Sequence, residues 1–294
     1  MKTIIKNMKT SVFFCAFLLL ISISANGTSR SSSENQTAAA IIELILKQTE
    51  TPKLQATVDV IKEGNPETPV TGIITTMFAT MDVLKEAVAK KCNLIIVHEP
   101  LYYTAVDNKE PFKNDPVFLE KQKFIIDNKL VVWRFHDYIH RMNPDGIRMG
   151  MLAKLGWEKY QVNGLLNRFI IPETNLENLL RELKQIFPEH AFHVIGKPSM
   201  TVSKVAFVGG APGSARHISA LQDNDVVIAG EEAQWETYEY ARDAVLQGRN
   251  KAVVFIGHIN SEEAGMDYCA TWLKSFIHNQ PIYFVNCGSS FWTY

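Results

Sequence analysis

Three short apolar stretches, each followed directly by histidine and carboxylate residues, most constrain how this chain can fold. Residues 93–97, 130–135 and 252–256 are mostly aliphatic or aromatic, and each comes after a segment whose apolar residues have helical spacing. Alternation between helical segments and short apolar runs is typical of mixed α/β architecture. The sequence therefore predicts an α/β fold in which these three stretches are buried strands.

Ionisable side chains follow each of the three predicted strands. They are His98 and Glu99 after the first, His136, Asp137 and His140 after the second, and His258 and Glu262 after the third. Because open α/β sheets hold their ligands at the carboxyl ends of the strands, we expect these residues at one rim of the fold. Imidazole nitrogen and carboxylate oxygen, without thiolate, form a ligand set for Zn, Mn, Fe, Co or Ni. The pattern predicts a divalent-metal site.

The number of these ligands favours more than one ion. Five or more exceed what one tetrahedral ion uses, and they suit two ions about 3.5–4 Å apart. His136 and His140 share one face if a helix begins after Phe135, and Asp137 would then orient one of them through a hydrogen bond. Taken singly, each histidine is equally well explained as a loop or packing residue.

His258 and Glu262 form the sharpest pair. If Asn260 or Ser261 caps the last predicted helix, His258 lies at the strand exit and Glu262 in the first helical turn, and both face one cleft. The alternative is that Glu262 only complements the positive end of the helix dipole. That alternative explains Glu262 but not His258.

The amino-terminal segment has the pattern of a targeting sequence. Residues 1–25 combine three lysines, an apolar run and small residues at its end, which predicts a secretory signal peptide and an exported, periplasmic or secreted protein. A retained anchor is the alternative. Residues 26–38 are predicted to be a linker, 39–163 a first lobe, and 164–294 a second lobe that carries the closing His/Glu motif.

Composition excludes several other classes of function. With 46% hydrophobic and 21% charged residues and a net charge of −1, the chain resembles an ordinary globular protein and not a nucleic-acid-binding one. After residues 1–25, the sequence contains no further apolar segment long enough to predict a membrane span. The remaining Cys92, Cys269 and Cys287 form no C-x-x-C pair, so free thiols are expected. No serine-hydrolase elbow, Walker loop or dinucleotide fingerprint is present in the sequence.

Further elements complete the predicted fold. Additional strands are predicted at 204–208 and 225–229, and helices at 81–91, 117–128, 176–187, 235–245 and 261–276. Thr174 and Glu177 fit a capping box before the third of these helices. The glycine-rich stretch 208–214 is interpreted as a tight turn, with close approach of a ligand as the alternative. Glu231 and Glu232 are interpreted as the acidic start of a helix.

At these motifs the chain resembles the NIF-three-like family of dinuclear-metal-centre proteins, which includes type 2 homologues of GTP cyclohydrolase I. Residues 95–101 read I-I-V-H-E-P-L where the family typically has I-V-H-H-P-L, and 136–140 are similar to its H-T-x-L-D. The stretches 204–210 and 225–231 match its central G-G and T-G-E/D strands, and 257–262 its closing G-H-x-x-[ST]-E.

The resemblance implies a set of metal ligands. By position these ligands fall on His98, Glu99, His140, His258 and Glu262, with His136 as a further possibility. Glu99 stands where the family usually has histidine, and His140 where it usually has aspartate. One imidazole is thus exchanged for one carboxylate in each direction, so the ligand count is retained. Whether Asp137 or His136 also contacts metal stays open.

The resemblance also implies fold and activity. Two related α/β lobes would hold two divalent metal ions in the cleft between them, and the chain would assemble into a homo-oligomer, a hexameric ring. The implied activity is metal-dependent hydrolysis of an unidentified small molecule by a metal-activated water, with Asp137 or Glu263 as proton shuttle. A non-catalytic metal-binding or metal-delivery ring scaffold is the alternative, and an interaction module with a vestigial site is a third.

Overall fold

The structure, a computed structural model, describes residues 36–188 and 191–292. The predicted signal peptide, 1–25, and most of the predicted linker lie outside the described residues. Within the described ranges, no helix combines the length and the apolar character that crossing a bilayer requires.

The described residues form an alternating series of helices and strands. The strands are β1 (Ile61–Glu63), β2 (Ile73–Thr76), β3 (Leu94–Val97), β4 (Val131–Arg134), β5 (Arg168–Asn175), β6 (His193–Ile195), β7 (Thr201–Val208), β8 (Val226–Ala229), β9 (Ala252–Phe255) and β10 (Ile282–Phe284). The helices are α1 (Ala38–Gln48), α2 (Met81–Ala89), α3 (Pro116–Asp127), α4 (Asp137–Arg141), α5 (Gly146–Leu155), α6 (Leu176–Ile186), α7 (Ser214–Asp223), α8 (Glu239–Leu246) and α9 (His258–Lys274).

The first sheet brings two of the histidine-bearing strands side by side. Its order is β1-β4-β3-β2-β10, with β4, β3, β2 and β10 parallel and β1 antiparallel at one edge. Every residue of β2, β3 and β4 is buried, which is the pattern of a parallel sheet covered on both faces. Val97 pairs with Arg134 in the register, so β3 and β4 end at the same level. The residues that follow them therefore emerge at one edge.

The second sheet repeats this arrangement. Its order is β5-β7-β8-β9-β6, with β7, β8 and β9 parallel and the two outer strands antiparallel. Val208 pairs with Ala229, and Ala229 with Phe255, so the three parallel strands also end in step. Glycine follows each strand end, at or near the turn into the next segment.

Helices α5 and α9 pack against each other and contribute to the cores of both sheets. On α9, Met266 and Cys269 lie in the core cluster of the first sheet, although α9 follows β9 of the second. On α5, Met151 belongs to the core of the second sheet and Ile147 to that of the first. Most of the buried residues of α9 pack in the core of the first sheet, and β10 pairs with β2 of that sheet. Both elements lie within 164–294, the range that the sequence predicts as the second lobe.

The predicted mixed α/β fold is confirmed, with three local differences. The last helix starts at His258 and not near Ser261. The cap of α6 is Asn175, whose side chain accepts from the Asn178 N–H at 2.8 Å, so the capping box predicted at Thr174 is wrong. Before α8, residues 234–238 form a wider turn interrupted at Glu236, where the backbone is not helical.

Candidate metal centre

His98 and Glu99 are placed by the end of β3. Their N–H groups donate to the carbonyls of Thr76 (3.1 Å) and Met77 (3.0 Å), which extends the pairing with β2 past the last strand residue. His98 is fully buried and Glu99 is 6% exposed. Both side chains therefore lie in the interior at the rim of the first sheet.

His136 and His140 are placed by a carboxylate-capped turn after β4. The Asp59 carboxylate accepts from the N–H groups of His136, Asp137 and Tyr138, each at 2.9 Å, which satisfies the free donors at the start of α4. The His140 N–H donates to the His136 carbonyl at 3.3 Å, so the two imidazoles are one turn apart. Their ring centroids are 5.0 Å apart. The predicted helical turn after Phe135 is confirmed.

His258 and Glu262 are placed by the start of α9. Gly257, at φ 87°, turns the chain out of β9, and His258 is the first helical residue. The two side chains are thus an i, i+4 pair on one helix face. They share a face for a different reason than the sequence predicted, because His258 lies inside the helix.

The Glu262 carboxylate contacts three of the imidazoles. Its Oε2 lies 3.1 Å from His258 Nε2 and 3.5 Å from His98 Nε2, and its Oε1 lies 3.8 Å from His140 Nε2. Glu262 is 6% exposed. Residues from both sheets therefore meet at this side chain.

The Glu99 carboxylate faces the same centre from the other side. Its Oε1 lies 3.2 Å from His258 Nε2 and 3.8 Å from His136 Nε2. Its Oε2 accepts from Arg134 Nη2 at 3.0 Å, and Arg134 also donates to the His98 carbonyl at 3.1 Å. Arg134 therefore fixes the His98 backbone and the Glu99 side chain relative to each other.

All four imidazoles are anchored through the ring nitrogen that faces away from the centre. The Nδ1 partners are the Phe135 carbonyl for His98 (3.2 Å), Asp137 for His136 (3.1 Å), Asp145 for His140 (3.3 Å) and Glu231 for His258 (2.9 Å). An acceptor at Nδ1 fixes the tautomer that leaves the Nε2 lone pair free to bind metal. The Nε2 atom of His98 is buried without a hydrogen-bond partner among the described residues.

These observations fit a divalent cation. Two groups of donor atoms lie within 4.8 Å of one another: His98, His136 and His140, and His98, Glu99 and Glu262. A buried nitrogen without a partner is costly, and two neighbouring buried carboxylates need positive charge beside them, so a bound cation would stabilise all three groups. The structure thus contains a possible His/Glu metal-binding cluster, and it brings together all six residues that the sequence nominated as ligands.

The electrostatics of the cluster show how strongly it attracts positive charge. Burial alone would lower the pKa of His258, but its bonds with Glu231, Glu262 and Glu99 raise that pKa to about 12. Burial alone would raise the pKa of Glu99, but His258, His98 and His136 lower it to about 2. In the absence of metal, a proton on His258 therefore balances part of the negative charge of the carboxylates.

The two predicted proton shuttles are both held by other groups. Asp137 accepts through Oδ2 from Thr57 Oγ1 (2.9 Å) and the Val58 N–H (3.1 Å), in addition to its contact with His136. Glu263 accepts from the Cys287 N–H at 2.9 Å and from Asn286 Nδ2 at 2.6 Å. Glu263 therefore contacts the carboxyl-terminal segment and not the six clustered residues.

The glycine-rich stretch 208–214 lies directly against the cluster. Gly210 has φ +66°, and a Cβ there would lie 2.5 Å from Glu262 Oε1. A Cβ at Gly209 would lie 2.7 Å from the Ser261 carbonyl, and the Gly210 N–H donates to Ser261 Oγ at 2.9 Å. The glycines thus allow the protein's own helix α9 to approach the loop.

Sequence reasoning missed four residues that hold the ligands in place: Asp59, Arg134, Asp145 and Glu231. Arg134 carried a signal, since an arginine within a fully buried strand needs a partner. Glu231 was interpreted only as a helix start, yet it follows the end of β8 next to the strand that leads to His258. For Asp59, nothing in its local sequence indicates the capping role.

Comparisons with known proteins point to one family. A family model described as Duf34/NIF3 (NGG1p interacting factor 3) matches residues 40–287. A relative from Clostridium acetobutylicum, named GTP cyclohydrolase 1 type 2 homolog, is 25% identical over 232 residues, which cover 74% of this chain and 82% of the relative.

Solved structures show the same fold. The chain is similar to Staphylococcus aureus protein SA1388 with a TM-score of 0.69 and 17% identity, over 88% of this chain and 99% of that one. It is similar to the Bacillus cereus protein related to NIF3 with a TM-score of 0.63 and 16% identity, over 85% and 97% of the two chains. The family model covers most of the chain and the fold agrees, so this protein belongs to the Duf34/NIF3 family.

Proposed function

We propose that this protein binds two divalent metal ions in the His/Glu cluster and acts as a metal-dependent hydrolase. The observation that carries the proposal is the set of four imidazoles, each anchored at Nδ1 and directed through Nε2 at two buried carboxylates. Ordinary packing histidines do not need this common orientation. Metal ligands do, because the outer hydrogen bond orients the ring and raises its basicity.

Two ions are favoured over one by the arrangement of the donors. The two donor groups share His98, and Glu262 contacts imidazoles of both groups through its two oxygens. His98, His136 and His140 would hold one ion, and Glu99, Glu262 and His258 the other. Divalent ions held there supply Lewis acidity, which lowers the pKa of water towards neutrality and polarises a carbonyl or phosphoryl oxygen.

This chain's own residues would maintain the conditions for such chemistry. Arg134 fixes Glu99, and the Glu231 and Asp145 carboxylates keep two of the imidazoles in one tautomer. Glu99 and Glu262 are buried, and the low dielectric of their surroundings would strengthen electrostatic interactions with a bound substrate.

One observation favours the second candidate, a non-catalytic metal-binding or metal-delivery protein. Asp137 and Glu263, the two acids expected to move a proton, are already engaged by other groups. A metal site without a free acid or base can hold a metal ion, but it lacks a group that would move a proton during hydrolysis.

Metal content and turnover, measured on the same preparations, test both candidates. The full chain, loaded with Zn or Mn and freed of excess metal, should contain about two ions per chain by elemental analysis. It should hydrolyse members of a panel of phosphoester and amide substrates. His258→Ala should lose metal and turnover, while His278→Ala, at an exposed position, should retain both. Bound metal without turnover across the panel would favour the non-catalytic candidate, and wild-type protein without metal would exclude both.

The cellular setting is a further proposal. The pattern of residues 1–25 supports export to the periplasm or the medium, and the family resemblance supports a hexameric ring. A small molecule, and neither nucleic acid nor membrane, is the proposed partner.

A further inference from the structure

A wide cleft opens above the His/Glu cluster. Its volume is about 1040 Å³, which is at the upper end of the size of small-molecule sites. Glu99, His136, His140, His258 and Glu262 lie along one part of its lining. A molecule bound in this cleft would therefore reach the cluster.

Four arginines from different elements line the rest of the same cleft. They are Arg141 at the end of α4, Arg148 on α5, Arg168 at the start of β5 and Arg216 in the first turn of α7. The elements that carry them belong to both halves of the described chain. The proposed function uses none of these four side chains.

The positive charge of these arginines is only partly neutralised by the protein. Arg148 contacts Asp145 at 3.3 Å, and Asp145 also anchors His140. Arg168 donates to the Asn167 carbonyl at 3.1 Å. Among residues 36–188 and 191–292, no ion pair is formed by Arg141, Arg168 or Arg216. Apart from the contact between Asp145 and Arg148, the acids in the cleft are engaged by the imidazoles and by Arg134.

Arg148 and Arg168 are close enough to influence each other. Burial lowers the pKa of Arg168, the charge of Asp223 partly opposes this, and the charge of Arg148 lowers the pKa further. Arginine stays protonated in proteins, so two like charges remain facing one cleft. Such an arrangement is stabilised when an anion binds between the guanidinium groups.

Phosphate fits this wall better than a single carboxylate does. Each guanidinium offers a planar pair of donors that matches two phosphate oxygens, and a phosphate group offers oxygens in several directions at once. Arginines on separate elements can thus contact one phosphate or two neighbouring ones.

We propose that this arginine wall, Arg141, Arg148, Arg168 and Arg216, binds the phosphate groups of a phosphorylated small-molecule substrate and orients its remaining part towards the His/Glu cluster. The inference rests on the proposed function for the identity of the cluster, but the anion site itself does not depend on bound metal. The substrate class is a small molecule with one or two phosphate groups.

Binding of inorganic pyrophosphate, measured by calorimetry, tests the proposal. The full chain is titrated as the metal-loaded protein and again after treatment with a chelator and dialysis, which isolates the contribution of the arginines. Wild-type protein should bind in both forms, more weakly at high salt. Arg168→Gln and Arg216→Gln should each weaken binding to the chelator-treated form by roughly tenfold. Arg181→Gln, at an exposed site on α6 outside the cleft, is the matched control and should bind as wild type does.

Several outcomes would overturn the proposal. It fails if chelator-treated wild type does not bind pyrophosphate, if both arginine variants bind as tightly as wild type, or if malonate binds as tightly as pyrophosphate. Arg216→Gln is the more decisive variant, because Arg216 is exposed and its replacement leaves the core unchanged. Elemental analysis separates the two proposals: metal bound without pyrophosphate binding refutes only the phosphate site. Pyrophosphate binding by a protein that takes up no metal refutes only the metal centre.

Discussion

Each imidazole in the cluster has one nitrogen committed to an internal acceptor and one directed at the centre. Glu231 is the internal acceptor for Nδ1 of His258. It lies at a half-exposed position, with 59% of its side chain accessible. Its carboxylate is therefore the most accessible of the anchoring groups that the structure shows. The affinity for metal should depend on Glu231 even though it is not among the proposed ligands.

Removal of the anchor should weaken metal binding without removing a ligand. In Glu231→Ala, the His258 ring loses the acceptor that fixes its tautomer, and the affinity for Zn should fall by roughly 10- to 100-fold. Competition with a chromophoric chelator measures this change. Glu239→Ala, which replaces an exposed glutamate on α8, is the control and should leave the affinity unchanged. An unchanged affinity in Glu231→Ala would show that the tautomer is fixed in another way.

The proposed ligands were predictable from sequence, while the residues that hold them were not. The ligands come directly after apolar runs, so a local pattern reveals them. Their partners are far away along the chain: Asp59 is 77 residues from His136, and Glu231 is 27 from His258. A single sequence contains no signal for such pairings, because side-chain contacts at this separation depend on the completed fold.

At the level of elements, the packing of α5 against α9 sets the distance between His258 and the anchor of His140. Helix α5 follows Asp145, the anchor of His140, and α9 begins with His258. The two helices cross at glycines: a Cβ at Gly265 would lie 2.5 Å from Ile147 Cα, and one at Gly150 would overlap the Ala264 carbonyl. The helices can approach this closely only without side chains at the crossing.

Gly150→Ala should therefore destabilise the protein and loosen the site. The new methyl group meets backbone, which cannot rotate away, so the free energy of unfolding should fall by about 1–3 kcal/mol. Urea denaturation measures the loss. The affinity for metal should fall in the same variant, because the helices that carry His258 and the anchor of His140 are pushed apart.

An exposed position on the same helix provides the comparison. Ala153→Gly should cost about 1 kcal/mol through helix propensity alone and leave the affinity for metal unchanged. If Gly150→Ala were as stable as wild type, the crossing would have room that the structure does not show.

Most of the central strands were predicted from sequence, whereas β2 and the outer strands were not. Strands β3 and β9 are continuous apolar runs, and β4 is apolar except for Arg134, which is the pattern of strands buried on both faces. Strands β1, β6 and β10 contain only three residues each, too few for a period to be recognised. The start of α9 was misplaced because Ser261 resembles a cap, although its hydroxyl accepts from the Gly210 N–H.

At the scale of the whole molecule, the cluster joins residues that lie at the ends of strands in two sheets. A cation bound there contacts only the folded arrangement, so it should stabilise the fold by mass action. At a metal concentration of 100 times the dissociation constant, the expected gain is about 2.7 kcal/mol. Thermal unfolding over a series of Zn concentrations measures it, and a chelator should reverse it.

A variant pair separates this effect from non-specific metal binding. His258→Ala should show a much smaller rise in Tm, while His278→Ala should respond as wild type does. A Tm that stays constant up to saturating metal in the wild type would contradict a metal site in the folded protein.

Strand β10 has a consequence for how the polypeptide reaches its final form. It lies parallel to β2, with Ile282 opposite Ile73, so the first sheet recruits its edge from more than two hundred positions downstream. During synthesis, the amino-terminal half leaves the ribosome long before β10 has been made. Until then, one side of β2 has no strand to pair with. Completion of this sheet therefore depends on residues made long after β2, and a chain that stops short of β10 leaves an open strand edge available to aggregate.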